Sequence, residues 1–183
     1  MLVDPFKRKI SYIRISVTDR CDFRCTYCMS EEMQFLPKKD LLSLEELERL
    51  SNVFIELGVK KIRITGGEPL VRKNILHFIS GVGKKIGKGL EELTVTTNGS
   101  QLERYAKDLF KNGVKRINIS LDTLDKNKFK LITRTGDFNK VITGISSTHN
   151  DAKVTLVGVK DRPGVAASIF KPLSKSLINV DMV

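Results

Sequence analysis

Four short stretches of this chain alternate strictly between apolar and polar residues. They are Ile13-Arg14-Ile15-Ser16-Val17-Thr18, Ile62-Arg63-Ile64-Thr65, Leu93-Thr94-Val95-Thr96 and Ile117-Asn118-Ile119-Ser120-Leu121-Asp122. Period-two alternation carried by β-branched residues predicts β-strands. Between them lie helical patterns. Ser43-Leu44-Glu45-Glu46 reads as a capping box opening a helix to about Leu57, where Gly58 stops it. Further helices are expected near Asn74 to Lys85, Leu102 to Lys111 before Gly113, Lys126 to Thr133 and Asn139 to Ser147. Strands separated by helices of this length imply βαβ units and a parallel sheet.

The strands differ from those of a sheet buried on both faces, which are apolar throughout. One face of each is Ile, Leu or Val. The other carries Arg14, Ser16, Arg63, Thr65, Thr94, Thr96, Asn118 and Ser120, without the Lys and Glu common on water-facing strands. A sheet curved into a barrel, with helices outside and a polar, ligand-holding lumen, satisfies both faces; a sheet with one solvent-exposed face is the alternative.

Beyond Ser147 the pattern changes. Lys153 to Val159 reads as a new strand, Asp161-Arg162-Pro163-Gly164 as a turn, Val165 to Lys175 as an amphipathic helix and Ile178 to Val183 as the start of another strand. A boundary near Asn150 is expected, dividing the chain into 1–149 and 150–183.

The chemistry concentrates in one loop. The three cysteines of the 183-residue chain, Cys21, Cys25 and Cys28, form CxxxCxxC in Asp19-Arg20-Cys21-Asp22-Phe23-Arg24-Cys25-Thr26-Tyr27-Cys28. Three thiolates set around one point suit a soft metal centre. Tetrahedral structural zinc needs four ligands, and the other candidates, His77 and His149, are far off in sequence. A [4Fe-4S] cluster held by three cysteines fits better and leaves one iron open to a small molecule; zinc or inert thiols remain the alternatives.

Composition adds less. A hydrophobic fraction of 40% suffices for a core, and the N-terminal run has no apolar stretch of signal-peptide length. No segment reaches membrane-spanning length. The expectation is a cytoplasmic protein with no membrane association, its thiols kept reduced. The net charge of +11 favours polyanionic partners. Lys and Arg are spread without a basic block interleaved with aromatics, so a phosphorylated small molecule is expected rather than nucleic acid.

These motifs together resemble a known family. CxxxCxxC with Tyr27 before its last cysteine, Thr65-Gly66-Gly67-Glu68-Pro69, Thr96-Thr97-Asn98-Gly99 and Asn118-Ile119-Ser120-Leu121-Asp122 look like a radical S-adenosylmethionine (SAM) enzyme. With Arg14 and Ile62-Arg63-Ile64-Thr65-Gly66-Gly67-Glu68-Pro69-Leu70, the stretch from about Phe6 to Ile145 resembles the GTP 3′,8-cyclases of molybdenum cofactor biosynthesis.

The resemblance implies a radical SAM lyase whose cluster, held by Cys21, Cys25 and Cys28, binds SAM and cleaves it to a 5′-deoxyadenosyl radical. Tyr27, Gly67 and Ser120 match SAM-contacting positions, with Glu68 adjoining Gly67. Arg14, Arg63 and Thr96 match positions that contact GTP, the substrate converted to 3′,8-cyclo-7,8-dihydro-GTP. Read without the family, Tyr27 is a packed loop aromatic, the glycines a tight turn, and the arginines surface ion-pair partners. An external electron donor is implied. The fold implied is a truncated partial (βα) barrel of about four parallel strands with outer helices, because the family's later strands and second cysteine trio have no counterpart here.

The tail from Ala152 to Ala167 with Ile178 to Val183 resembles the start of an ACT regulatory module of the aspartate kinase type. About half an ACT sheet is present, implying an incomplete βαβ tail, and an oligomer or partner chain completing the barrel or this sheet. A nonfunctional fusion of two fragments and an amino-acid-binding regulatory piece are the competing readings.

Overall fold

The computed structural model describes residues 2–30, 32–146 and 153–154. Its elements alternate: β1 (Tyr12–Ser16), α1 (Leu44–Glu56), β2 (Lys61–Thr65), α2 (Ile75–Gly83), β3 (Glu92–Thr97), α3 (Leu102–Lys111), β4 (Val114–Ile119), then α4 (Lys126–Thr133), α5 (Phe138–Ser146) and β5 (Lys153–Val154). The capping box at Ser43 forms as expected. Ser43 accepts from the Glu46 N–H at 3.1 Å, and the Glu46 carboxylate accepts from the Ser43 N–H at 2.7 Å. Gly58 ends the first helical segment at φ +103°, a backbone state that costs glycine little.

All strand pairs are parallel and the strand order is β1-β2-β3-β4-β5. When parallel strands follow one another in sequence order, crossovers of one hand place every helix on the same face. The alternation read from the sequence then sorts itself. Ile62, Ile64, Leu93, Val95 and Ile119 are buried under the helices with Phe78, Ile79, Val82, Leu102 and Leu109, while the polar residues line the opposite face. This is an arc of a (βα) barrel.

The arc has one strand more than the expected four. Asn118 pairs with Lys153 and Ile119 with Val154, so the start of the expected tail strand extends the same sheet. The rest of the tail from residue 155, with its ACT-like reading, lies outside the described residues, as does the expected boundary at Asn150. A second difference concerns the polar face, which was expected to lack Lys and Glu. Lys61 and Glu92 open β2 and β3 there. The Glu92 carboxylate pairs with Lys61 at 3.2 Å and Arg116 at 2.6 Å, closing the N-terminal end of the face with compensated charge.

A row of rings carries the packing behind the cysteine loop. Phe129 of α4 is 1% exposed and meets Phe23 edge-on at 5.7 Å and Phe138 at 5.4 Å. Removing its ring leaves a cavity between the loop and two helices, so Phe129→Ala is expected to cost about 3–5 kcal/mol. Urea unfolding checks the size. Amide exchange at Arg24 and Thr26, whose N–H groups are held by Thr133 and Ile132, should accelerate with it; a loss below about 1 kcal/mol would mean the ring is not the loop's anchor.

Candidate functional site

The loop following β1 carries all three cysteines, each as a free thiol. It leaves the sheet through the Val17 N–H, donated to the Thr65 carbonyl at 3.0 Å. Phe23 then turns into the core, 5% exposed. The Arg24 and Thr26 N–H groups donate to Thr133 and Ile132 at 3.0 and 2.9 Å, and the Thr135 hydroxyl donates to the Asp22 carbonyl at 2.8 Å. The Arg24 guanidinium donates to the Cys21 and Phe23 carbonyls at 2.6 and 2.8 Å. A turn returns the Cys28 and Met29 N–H groups to the Cys25 carbonyl. The loop is therefore tied at many points, with Cys21 and Cys25 half-buried and Cys28 exposed.

Burial pushes the Cys21 thiol up to about 11, with the Asp22 and Glu68 carboxylates adding to the shift. Burial also raises Cys25, helped by Asp122. A protonated thiol is a poor nucleophile, so burial weakens Cys21 and Cys25 as attacking groups. Metal binding would deprotonate them. Among the described residues no three Cys, His, Asp or Glu side chains are placed to hold a single metal ion. That departs from the expectation that three thiolates surround one point. A single zinc needs such convergence, whereas a [4Fe-4S] cube takes each thiolate on a different iron. Three free cysteines on one loop are the donor set such a cluster takes.

The turn after β2 holds Gly66, Gly67 and Glu68. A Cβ on Gly66 would stand 2.6 Å from the Thr18 carbonyl oxygen, and one on Gly67 would stand 2.4 Å from that of Arg20. The Gly67 N–H donates to Thr18 at 2.7 Å and the Glu68 N–H to Arg20 at 2.8 Å. The space freed by the missing side chains is thus filled by the strand-to-loop segment of the chain itself. Glu68 is fully buried. Its carboxylate accepts from the Leu70 N–H at 3.0 Å, the Thr97 hydroxyl at 2.8 Å and the Asn98 N–H at 2.6 Å. Glu68 thus braces the turns after β2 and β3 from inside.

The turn after β3 reaches the cysteine loop. The Asn98 side-chain amide donates to the Asp22 carboxylate at 2.8 Å and lies 3.7 Å from the Cys21 sulfur. The Ser100 hydroxyl donates to the other Asp22 oxygen at 2.6 Å. Residues some 76 to 78 positions apart make these contacts, so no local pattern announces them. Ser120 follows β4 on the same edge, its N–H donated to the Thr97 carbonyl at 2.9 Å. Tyr27 also reaches this edge. Its hydroxyl donates to Asp122 at 2.9 Å, and partial screening of that hydroxyl from water together with the carboxylate keeps it protonated beyond the usual phenol range. Tyr27 is 68% exposed, which sets aside the reading of a packed aromatic.

Below this edge lie the basic residues of the lumen face. Register pairs Arg14 with Arg63, Arg63 with Thr94, and Thr94 with Arg116 in one row, and Thr96 with Asn118 in the next. Arg63 and Arg14 flank the Tyr12 ring at 5.4 and 6.0 Å. With its amide turned to face donors, Asn118 accepts from Arg63 at 3.3 Å. Neither Arg14 nor Arg63 forms an ion pair among the described residues, unlike Arg116. Buried polar groups without partners are uncommon in folded proteins. The Arg63 Nε and Thr96 Oγ1 are both buried and unpartnered.

Each of these loops follows the C-terminal end of a strand, the edge on which α/β sheets and barrels bind ligands. The sequence pattern of the Radical SAM superfamily matches residues 15–159. The chain belongs to that superfamily.

Among its relatives, the GTP 3′,8-cyclase of Rhizobium etli (strain CIAT 652) is 66% identical over 146 residues, covering 80% of this chain and 42% of the relative. That of Rhizobium leguminosarum bv. trifolii (strain WSM2304) is 61% identical over 163 residues, covering 87% and 47%. That of Brucella abortus (strain S19) is 59% identical over 164 residues, covering 87% and 48%. The chain spans about half the length of these curated relatives or less. Two solved structures share its fold at low identity. Streptococcus suis SuiB bound to S-adenosylmethionine has a TM-score of 0.69 at 18% identity, covering 93% of this chain and 39% of that one. Methylornithine synthase (PylB) has a TM-score of 0.61 at 12% identity, covering 93% and 52%. Among the described residues no helix is long and apolar enough to cross a membrane.

Burial pushes the Glu68 carboxyl from its usual 4.5 up to about 7, against the pull of its three donors. The folded chain therefore binds more protons than the unfolded chain between those values. Stability should fall as pH rises from about 4.5 to about 7, by roughly 3 kcal/mol. Urea midpoints across that range check it, and Glu68→Gln should flatten the dependence. A second substitution reads the packing of the turn: Gly67→Ala sets a methyl against the Arg20 carbonyl and is expected to cost about 1–3 kcal/mol, measured in the same way.

Proposed function

We propose that this chain is the cluster-binding and SAM-binding portion of a GTP 3′,8-cyclase, a radical SAM lyase that acts on GTP in molybdenum cofactor synthesis. The observation that carries the reading is a lumen with buried, unpartnered donors, Arg63 Nε and Thr96 Oγ1, set below a braced three-cysteine loop. The identity of 66% to a curated cyclase supports it.

Cys21, Cys25 and Cys28 hold the [4Fe-4S] cluster. When bound, the cluster supplies the electron that opens a carbon–sulfur bond of SAM. Tyr27, Gly67 and Ser120 line the SAM position on the strand edge. Gly67 has no side chain and its N–H is already given to Thr18, so it can offer only its carbonyl there. Arg14 and Arg63 carry the charge that matches a triphosphate, and guanidinium forks suit phosphate oxygens better than ammonium groups do. Thr96 supplies a hydroxyl one row nearer the cluster edge. Tyr12 lies against both arginines, its ring 6.0 and 5.4 Å from the guanidinium groups of Arg14 and Arg63 and its hydroxyl accepting from Arg14 at 3.3 Å. Cys28 is the exposed ligand, so an external electron donor approaches from its side of the loop. A reducing cytoplasm, which keeps three unbridged thiols available, suits this chemistry.

The test is electron paramagnetic resonance on the 183-residue chain after anaerobic reconstitution and dithionite reduction. A [4Fe-4S] signal that changes on adding SAM is expected. Cys25→Ala should abolish it. Arg63→Ala should keep the cluster and the SAM response while weakening GTP binding by about tenfold, the scale of one charged hydrogen bond. Loss of the cluster in both variants would refute this division of roles.

A further inference from the structure

The cysteine loop contains a neighbour that becomes unfavourable when metal binds. The Cys21 thiol donates to Asp22 Oδ1 at 3.9 Å, and once that sulfur loses its proton to ligate metal a carboxylate stands beside its negative charge. Two donors offset this. The Phe23 N–H points at the sulfur at 3.4 Å, and the Asn98 side-chain N–H lies 3.7 Å from it while also donating to Asp22 Oδ1 at 2.8 Å. The amide's orientation is unambiguous, because its oxygen accepts from the Ser100 N–H at 2.9 Å and its nitrogen must then face the carboxylate and the sulfur. The Asn98 backbone is held by Glu68 at 2.6 Å, so the side chain is presented from a braced turn.

We infer that Asn98 is a positioning residue for Cys21, whose amide donates toward both the Cys21 sulfur and the Asp22 carboxylate and eases addition of an electron to the centre that the sulfur ligates. The inference rests on the cluster reading above. Reduction adds negative charge that spreads onto the ligand sulfurs. A donor to sulfur stabilises the reduced state and raises the potential, and a nearby carboxylate lowers it. Asn98 supplies the first effect and tempers the second. Neither feature is visible in the cysteine motif, which contains Asp22 but not its partner.

Redox titration of the reconstituted chain, followed by its reduced-cluster resonance signal, tests this without reference to turnover. Asn98→Asp keeps the acceptor for Ser100 and replaces the donor by a like charge. At a fixed applied potential it should lower the ratio of reduced to oxidised cluster about tenfold, a shift of about 60 mV to the negative. Asp22→Asn should shift the midpoint in the positive direction, and in combination with Asn98→Asp should restore it toward the wild-type value. If Asn98→Asp holds no cluster, Asn98→Ala, which removes the donor without adding charge, decides: a negative shift supports the inference and no shift overturns it. Unchanged midpoints in both variants, with the cluster present, overturn the inference and leave the cluster reading standing. A wild-type chain that takes up no cluster refutes that reading, and the inference with it.

Discussion

The loop end of this sheet is organised around one buried carboxylate. Glu68 sits at the turn after β2, receives donors from its own turn and from the turn after β3, and leaves no side-chain oxygen facing water. Burying a charge is costly unless hydrogen bonds replace its hydration, so the turns that supply those donors are locked to one another. Asn98 is one of them. Through its side chain the same lock reaches Asp22 and Cys21, and through the Glu68 N–H it reaches the Arg20 carbonyl at the loop entrance. Three strands thereby present their loops as one surface instead of three independent ones.

The two glycines beside Glu68 serve this arrangement. They allow the chain leaving β1 to lie directly against the turn after β2, backbone on backbone. A glycine pair after a strand signals that something comes close; it does not say what. Here the residues that come close are Thr18 and Arg20, and the ligand-facing part of the turn is correspondingly restricted to backbone groups.

Much of the fold was legible because its determinants are local. Alternation marked β1 to β3 within a residue or two and β4 three residues late, the Ser43–Glu46 box marked α1, and glycines marked helix ends. The lumen face was legible for the same reason, since strand parity alone places Arg14, Arg63 and Thr96 together. The fifth strand was read as a strand without a partner, because Lys153 and Val154 say nothing locally about pairing with Asn118 and Ile119. The bracing role of Glu68 and the clamp on Asp22 were not legible. Both depend on donors that long stretches of chain separate from their acceptors, and burial that only the packed fold creates.

The loop that carries every cysteine is seated largely on residues made much later in the chain. Phe23 rests on Phe129, the Arg24 and Thr26 amides on Thr133 and Ile132, and the Asp22 carbonyl on Thr135. A ribosome-bound chain therefore exposes its three thiols long before it can shape them. Until α4 has emerged and docked, those sulfurs belong to a floppy segment, open to oxidation or to scavenging of stray metals. Assembly of the centre is in this way scheduled by sequence distance: the docking of α4 is the event that turns three loose thiols into a seat.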